Sequence, residues 1–330
     1  MTLKKIYRAY HIKAYCLLLL LFIFAIPSFS RQNKTDSLLT ILNSATEDTS
    51  KVNVLNDLFK EYQDNDQTKA LEYAKQALDL SEKLSFQRGS ASSYNNIGLS
   101  YFNKGNNIEA LDNFLRALEI FNDIGYKKGS SIALANIGNL FYKQGNYPKT
   151  IEYYVQSLAL AKEIGDKQRS ANLLGKIGVA YYDQGYYAKA LNYYMNSLSI
   201  REEINDKQGI AYALGNIGMI YDDQKNYSKS LEYYLKALKI EQEIGDKKGI
   251  SITYTNIGEI YNAQKNYIKA LEYFQHALTI STEIDYKIVI ASSLNNIGDV
   301  YKLGACTPLS SNNQLFYHAC EHKTLGSTGV

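Results

Sequence analysis

A period of 40 residues governs this chain. The pair Ile217-Gly218 returns as Ile97-Gly98, Ile137-Gly138, Ile177-Gly178, Ile257-Gly258 and Ile297-Gly298. Three residues after each glycine stands an aromatic: Tyr101, Phe141, Tyr181, Tyr221, Tyr261 and Tyr301. A fixed register of this kind marks a stacked array in which each copy is one supersecondary unit. Such a unit cannot bury its apolar face alone, so its neighbours must do so. The register therefore favours one solenoid over the two globular domains that length alone would suggest.

The stretch from Ala211 to Ile250 shows what one unit contains. Leu214, Ile217, Gly218 and Tyr221 are spaced three and four apart, on one face of a helix. Glycine is a poor helix former, so its recurrence at mid-helix predicts a close approach by a neighbouring helix. A turn follows between Asp223 and Tyr227, where other copies carry Gly105, Gly145 or Gly185. Leu231, Tyr234, Ala237, Leu238 and Ile244 then mark a second apolar stripe. Small residues recur at Ala110, Thr150, Ala190, Ser230 and Ala270, each leaving room for a large neighbour. Gly125, Gly165 and Gly245, with Asn205 and Asp285 in other copies, suit the left-handed residue after a helix. Asp166, Asp206 and Asp246 come next and suit the cap of the following helix. The expected class is all-α. In the pairs Tyr153-Tyr154, Tyr193-Tyr194 and Tyr233-Tyr234, one ring is expected in the core and its neighbour at the surface.

These residues resemble those of the tetratricopeptide repeat. Gly218, Tyr221, Tyr234 and Ala237 stand where that family has its glycine and tyrosine, then its aromatic and second alanine. Ser230 takes the place of the first alanine, which Ala110, Ala190 and Ala270 fill. The resemblance covers roughly residues 51–302 and implies a right-handed superhelical solenoid of antiparallel helix pairs. The period exceeds the family's usual ~34 residues, and the family's proline near the end of the second helix is missing. Longer helices of this kind are similar to those of kinesin light chains and of polarity adaptors that bind GoLoco peptides.

Around the array, residues 1–30 have the three parts of a secretory signal peptide. Lys4, Lys5, Arg8 and Lys13 lead, an apolar run extends from Ala14 to Ile26, and Ser28 and Ser30 suit a cleavage site. An uncleaved anchor is the alternative, although the run is shorter than the ~20 residues that span a bilayer. The leader carries four positive charges and no negative ones, so its loss takes the net from +3 to −1. The expected destination is export, whether periplasmic, extracellular or in the cell envelope. Residues 31–50 read as a polar capping segment with an apolar cluster at Leu38, Leu39, Ile41 and Leu42. A degenerate first repeat without the signature glycine occupies 51–90, five full repeats occupy 91–290, and a half repeat occupies 291–302. Residues 303–330 carry no repeat residue. They are either an unusual cap or, as we favour, a truncated or non-native end.

No catalytic constellation is visible, and no cofactor is expected. His318, Cys320, His322 and Cys306 match no common zinc spacing, so no metal site is assigned. The repeated glycines are isolated and mid-helix, unlike a phosphate-binding loop. The 30 tyrosines recur mostly at core positions, and the missing basic stripe argues against nucleic acid. What remains is a non-enzymatic scaffold whose partner is a protein or extended peptide. A membrane would enter only through the leader or a missing C-terminal span.

The opposite face of each first helix carries the candidate site. One position reads Asn96, Asn136, Lys176, Asn216, Asn256 and Asn296. The resemblance implies that this face lines a concave groove and that the asparagines hold a ligand's backbone. A carboxamide both donates and accepts, so it can grip a peptide bond without reading its side chain. The competing reading makes these amides tolerated polar residues or bonds to the neighbouring helix. Other groove positions vary: Tyr212 stands at one, and Asp183, Asp223, Glu259 and Asp299 gather toward the C-terminal half. Converging carboxylates attract Lys or Arg on a partner. Leader, degenerate first repeat and array together also resemble the extracytoplasmic part of bacterial sensor histidine kinases and related regulators. That makes the alternative a truncated sensor region of such a kinase, a cyclase or a transcriptional regulator.

Overall fold

Helix punctuation recurs through the chain, and the helices follow it. A computed structural model describes residues 34–304, so the leader and the tail from residue 305 lie outside the described residues. Among the described residues there are fourteen helices and no strand. They gather into two compact units divided between Ile164 and Gly165. The first holds α1 (34–44), α2 (Thr49–Tyr62), α3 (Gln67–Lys83), α4 (Gln87–Lys104), α5 (Asn107–Asp123), α6 (Lys127–Lys143) and α7 (Tyr147–Glu163). The second holds α8 (Lys167–Tyr182), α9 (Tyr187–Glu203), α10 (Lys207–Asp223), α11 (Tyr227–Ile244), α12 (Lys247–Ala263), α13 (Tyr267–Glu283) and α14 (Lys287–Gly304). From α2 onward, even-numbered helices are the first of each repeat and odd-numbered ones the second.

The caps work as their chemistry dictates. Asp166, Asp206 and Asp246 accept the backbone N–H of Arg169, Gly209 and Gly249, satisfying donors that the helix start leaves unpaired. Gly125, Gly165 and Gly245 take positive φ, as do Asn205 and Asp285 in the equivalent places. From α2 to α12, each first helix packs against the second helix of its own repeat, and α14 packs against α13. First helices of successive repeats also touch, α2 with α4 and α4 with α6 in one unit, α10 with α12 and α12 with α14 in the other. The first helices therefore form the inner layer of each unit.

The reason for the recurrent glycine is a ring. A Cβ on Gly98, Gly138, Gly178, Gly218 or Gly258 would stand 2.7, 2.5, 2.6, 2.9 or 2.6 Å from Phe114, Tyr154, Tyr194, Tyr234 or Phe274 respectively. These rings come from the second helix of the same repeat and are fully buried. The first repeat inverts the arrangement: Leu58 replaces the glycine, Ala74 replaces the ring, and both are buried. At Gly298 nothing among the described residues lies within 4 Å of the same position. The small residues Ala110, Thr150, Ala190, Ser230 and Ala270 are all buried, and the Ser230 hydroxyl donates to the Gly218 carbonyl at 2.8 Å.

One expectation is corrected. Tyr153, Tyr193 and Tyr233 are not surface rings; they are half-buried and stack on Phe141, Tyr181 and Tyr221 at 5.5, 5.4 and 5.5 Å. The residue beside the locking ring falls opposite the aromatic three places after the glycine, so aromatic stacking claims it. Among the described residues, no helix is long and apolar enough to cross a membrane.

Gly218→Leu is expected to destabilise the protein by about 1–3 kcal/mol or more, because it overpacks against the Tyr234 ring. Gly298→Ala is expected to stabilise it by roughly 0.5–1 kcal/mol, since it improves helix propensity where no described residue meets the added Cβ. Thermal melts followed by circular dichroism check both. Equal shifts at the two positions would refute the ring-on-glycine contact.

Candidate functional site

In the first unit the inner face is a bonded series of amides. Asn56 donates from Nδ2 to the Val52 carbonyl at 3.1 Å. That carbonyl can only accept, which fixes the orientation of the Asn56 amide and leaves its Oδ1 facing α4. Asn96 Nδ2 donates to this oxygen at 2.7 Å, and Ser93 Oγ donates to it at 3.3 Å. One repeat on, Asn136 Nδ2 donates to Asn95 Oδ1 at 2.8 Å. Asn95 and Asn96 are both only 7% exposed. They belong to a cleft of about 590 Å³ whose other lining includes Lys60, Arg88, Leu99 and Tyr126. Asn96 and Asn136 thus each commit an N–H between successive first helices. Asn95 was not expected here, because an amide in its column recurs only at Asn295; Asn56 stands in the Asn96 column, one period earlier, but in the degenerate repeat that lacks the signature glycine.

The second unit uses the same positions differently. Asn296 donates to Glu259 Oε1 at 3.1 Å. Asn256 is half-buried, and Asn216 is half-buried with its Nδ2 atom enclosed and lacking a hydrogen-bond partner among the described residues. Lys176 is exposed by area, yet protein atoms crowd around it, and this desolvation lowers its pKa.

A group of carboxylates lies alongside. The Tyr182 hydroxyl donates to Asp223 Oδ2 at 2.6 Å. Half-buried Asp222 has its pKa raised by desolvation and then by the charges of Asp223 and Glu259. Desolvation also raises Glu259, against the opposing hydrogen bond from Asn296. Burial and then the Asp222 and Glu259 charges push the Tyr234 phenol up in turn. Among the described residues, none of Asp222, Asp223 and Glu259 forms an ion pair with lysine or arginine. Asp183 lies at the C-cap of α8, is exposed, and is not among the charges that act on Asp222. Asp222 escaped the sequence reading because its column is aromatic in earlier copies, at Phe102, Tyr142 and Tyr182. That break in the column was the available signal.

Tyr212 belongs to a different place. It is 56% exposed and lines a cleft of about 320 Å³ with Gln168, Asn172, Arg201, Asp206 and Gln208. Arg201 is buried there. Its guanidinium donates to Ser197 Oγ at 3.1 Å, to Asn172 Oδ1 at 2.7 Å, and to Asp206. Desolvation opposes the ionised form of Asp206, but hydrogen bonds from Gln168 and Gly209 and the Arg201 charge hold its carboxyl below the usual range.

The amide series yields a stability expectation. Asn56→Ala and Asn96→Ala each remove a partner from a buried hydrogen bond, so each is expected to cost about 1–3 kcal/mol. Because the two side chains touch, a double-mutant cycle by urea unfolding is expected to give a coupling of roughly 0.5–3 kcal/mol. Strict additivity would mean that the two amides act independently.

Comparison with known proteins extends the description. Residues 89–168, 169–243 and 249–306 match the sequence model of the tetratricopeptide repeat family. No curated protein sequence matches the chain. Among solved structures, a signal transduction ATPase with numerous domains and a tetratricopeptide repeat sensor, from Pyrococcus horikoshii, aligns with a TM-score of 0.64 at 21% identity. That alignment covers 78% of this chain and 41% of the other, so the chain spans less than half of that protein. BtubC (BKLC) from P. vanneervenii aligns with a TM-score of 0.55 at 18% identity, over 67% of this chain and 92% of its own. A Rap protein complexed with Competence and Sporulation Factor aligns with a TM-score of 0.53 at 16% identity, over 84% and 87%. At these identities the likeness is one of fold.

Proposed function

The chain belongs to the tetratricopeptide repeat family, and from that premise we propose that its inner faces bind an extended segment of a partner protein without catalysing a reaction on it. The observation that carries this reading is the group Asp222, Asp223 and Glu259. Asp222 and Glu259, both partly desolvated, stand with the exposed Asp223 without a lysine or arginine partner among the described residues, and such a group gains most from a cation supplied by a partner. On the same inner layer the half-buried Asn216 and Asn256 offer amides to a peptide backbone. The segment that fits is extended and carries lysine or arginine. Its setting, by the character of residues 1–30, is outside the cytoplasm.

A second reading makes the array the sensing part of a larger signalling protein. The Pyrococcus horikoshii relative supports it, since its repeats are described as a sensor and make up part of a much longer chain.

A random peptide library panned on the purified protein tests the first reading. Wild type is expected to enrich lysine- and arginine-containing peptides, with affinity falling as salt rises. Changing Asp222 and Asp223 to Asn and Glu259 to Gln is expected to abolish that preference. Asn216→Ala with Asn256→Ala is expected to weaken every bound peptide by roughly 5- to 150-fold, taking about 0.5–1.5 kcal/mol per hydrogen bond. Cation binding needs ionised carboxylates, and Asp222 and Glu259 titrate above their ordinary range, so affinity is expected to rise with pH as these two ionise. Enrichment that ignores charge and is unchanged in both variants, with melting unaltered, would overturn the proposal.

A further inference from the structure

One buried column changes the sign of its charge between neighbouring repeats. It reads Ser81, Phe121, Ala161, Arg201, Glu241 and Ser281, and every member is buried. In α9 the charge is fully matched, because the Arg201 guanidinium meets Asp206, the residue that caps α10. In α11 the equivalent residue is an acid, and the cap that follows it, Asp246, is an acid as well.

Glu241 is only 6% exposed. Its Oε1 accepts from Thr253 Oγ1 at 3.1 Å, while its buried Oε2 has no hydrogen-bond partner among the described residues. Asp246 Oδ1 accepts from the Gly249 N–H at 3.0 Å. The two carboxyl groups crowd the same glycine: a Cβ on Gly249 would stand 2.8 Å from Asp246 Oδ2 and 3.0 Å from the Glu241 carboxyl carbon.

The cations nearby are engaged elsewhere. Lys207 reaches from α10 to α11 but pairs with Glu243 at 3.2 Å. On α12, Lys247 pairs with Glu283, and Lys248 lies over the Tyr286 ring at 4.8 Å. Tyr254, also on α12, accepts from Gln242 at 3.4 Å, and its ring lies tilted against that of His276 at 5.4 Å. The charge that acts on Glu241 is therefore that of Asp246. Burial pushes the Glu241 carboxyl up to about 7, the Thr253 hydrogen bond opposes this, and Asp246 adds to it.

We propose that the joint between α11 and α12 is a proton-operated latch, in which a neutral Glu241 holds the first turn of α12 down on α11 and an ionised Glu241 releases it. The released proton passes to water. The closed joint binds this proton more tightly than an open one with an ordinary carboxyl at 4.5. Closure is thus fully favoured below pH 4.5 and loses ground as pH rises to about 7. The helix that moves, α12, carries Asn256 and Glu259 on the inner face, although the latch stands without any claim about a ligand.

Hydrogen–deuterium exchange over residues 246–253, corrected for the intrinsic pH dependence of exchange, tests it. In wild type the opening constant is expected to rise by up to about 30-fold between pH 5.5 and pH 8.5. Glu241→Gln, which keeps the shape and cannot ionise, is expected to show no such rise. Residues 206–213, at the matched Arg201 joint, are expected to show none in either protein. A wild-type opening constant that is flat over this range overturns the proposal, and so does an equal rise in Glu241→Gln. Should that variant not fold, Asp246→Asn keeps a capping side chain and removes the like charge. It is expected to diminish the rise, and an undiminished rise overturns the proposal.

Discussion

The contact on which the structure depends is an aromatic ring laid on a glycine. It joins the two helices of a repeat at a distance that no side chain on the first helix permits, and it recurs from Gly98 with Phe114 to Gly258 with Phe274. Glycine in mid-helix costs roughly 0.5–1 kcal/mol against alanine, but a fully buried aromatic side chain returns more than that. The neighbouring residues obey the same geometry. Once the ring is seated, the tyrosine before it is carried onto the aromatic of the first helix, giving the repeated stack of Tyr181 with Tyr193 and Tyr221 with Tyr233. The first repeat keeps the volume by exchanging the partners, Leu58 for glycine and Ala74 for ring.

With packing settled by glycine, ring and alanine, charge is free to vary between copies. On the surface it forms a regular set of exposed pairs, Lys167 with Glu203, Lys207 with Glu243 and Lys247 with Glu283 in the second unit, each worth at most about 1 kcal/mol. Inside, single copies depart from the pattern. Arg201 finds three partners, Glu241 finds one, and Asp222 faces other carboxylates where earlier copies have aromatics. Removing charge from water without a matching partner is costly. The unmatched acids are therefore the places where a proton or a partner's cation has the largest effect.

The amides of the inner layer are used differently in the two units. In the first unit they bridge successive first helices, from Val52 through Asn56 to Asn96 and from Asn95 to Asn136. A bridge of this kind uses one atom of each terminal amide and leaves the others for a bound segment. Joining helices therefore does not exhaust the hydrogen-bonding capacity of these side chains, and in the second unit the enclosed Asn216 Nδ2 lacks a hydrogen-bond partner among the described residues.

The sequence by itself determined the class, the helix boundaries and the register of this protein. Those depend on local chemistry: aspartate at a cap, glycine or asparagine in the left-handed turn, apolar residues three and four apart. It also announced that each recurrent glycine must face something large, because only close packing justifies it at mid-helix. Tertiary structure alone decided which side chains meet across repeats. That Asn96 donates to Asn56 some 40 residues away, that Tyr212 and Asp223 sit in different places, and that Asp222 joins Glu259 are consequences of helix rotation and stacking. A rotation of a few tens of degrees changes the neighbour of every polar side chain while leaving the apolar period intact. Periodicity therefore encodes the fold many times over, whereas each polar contact is written once, in the space between two helices.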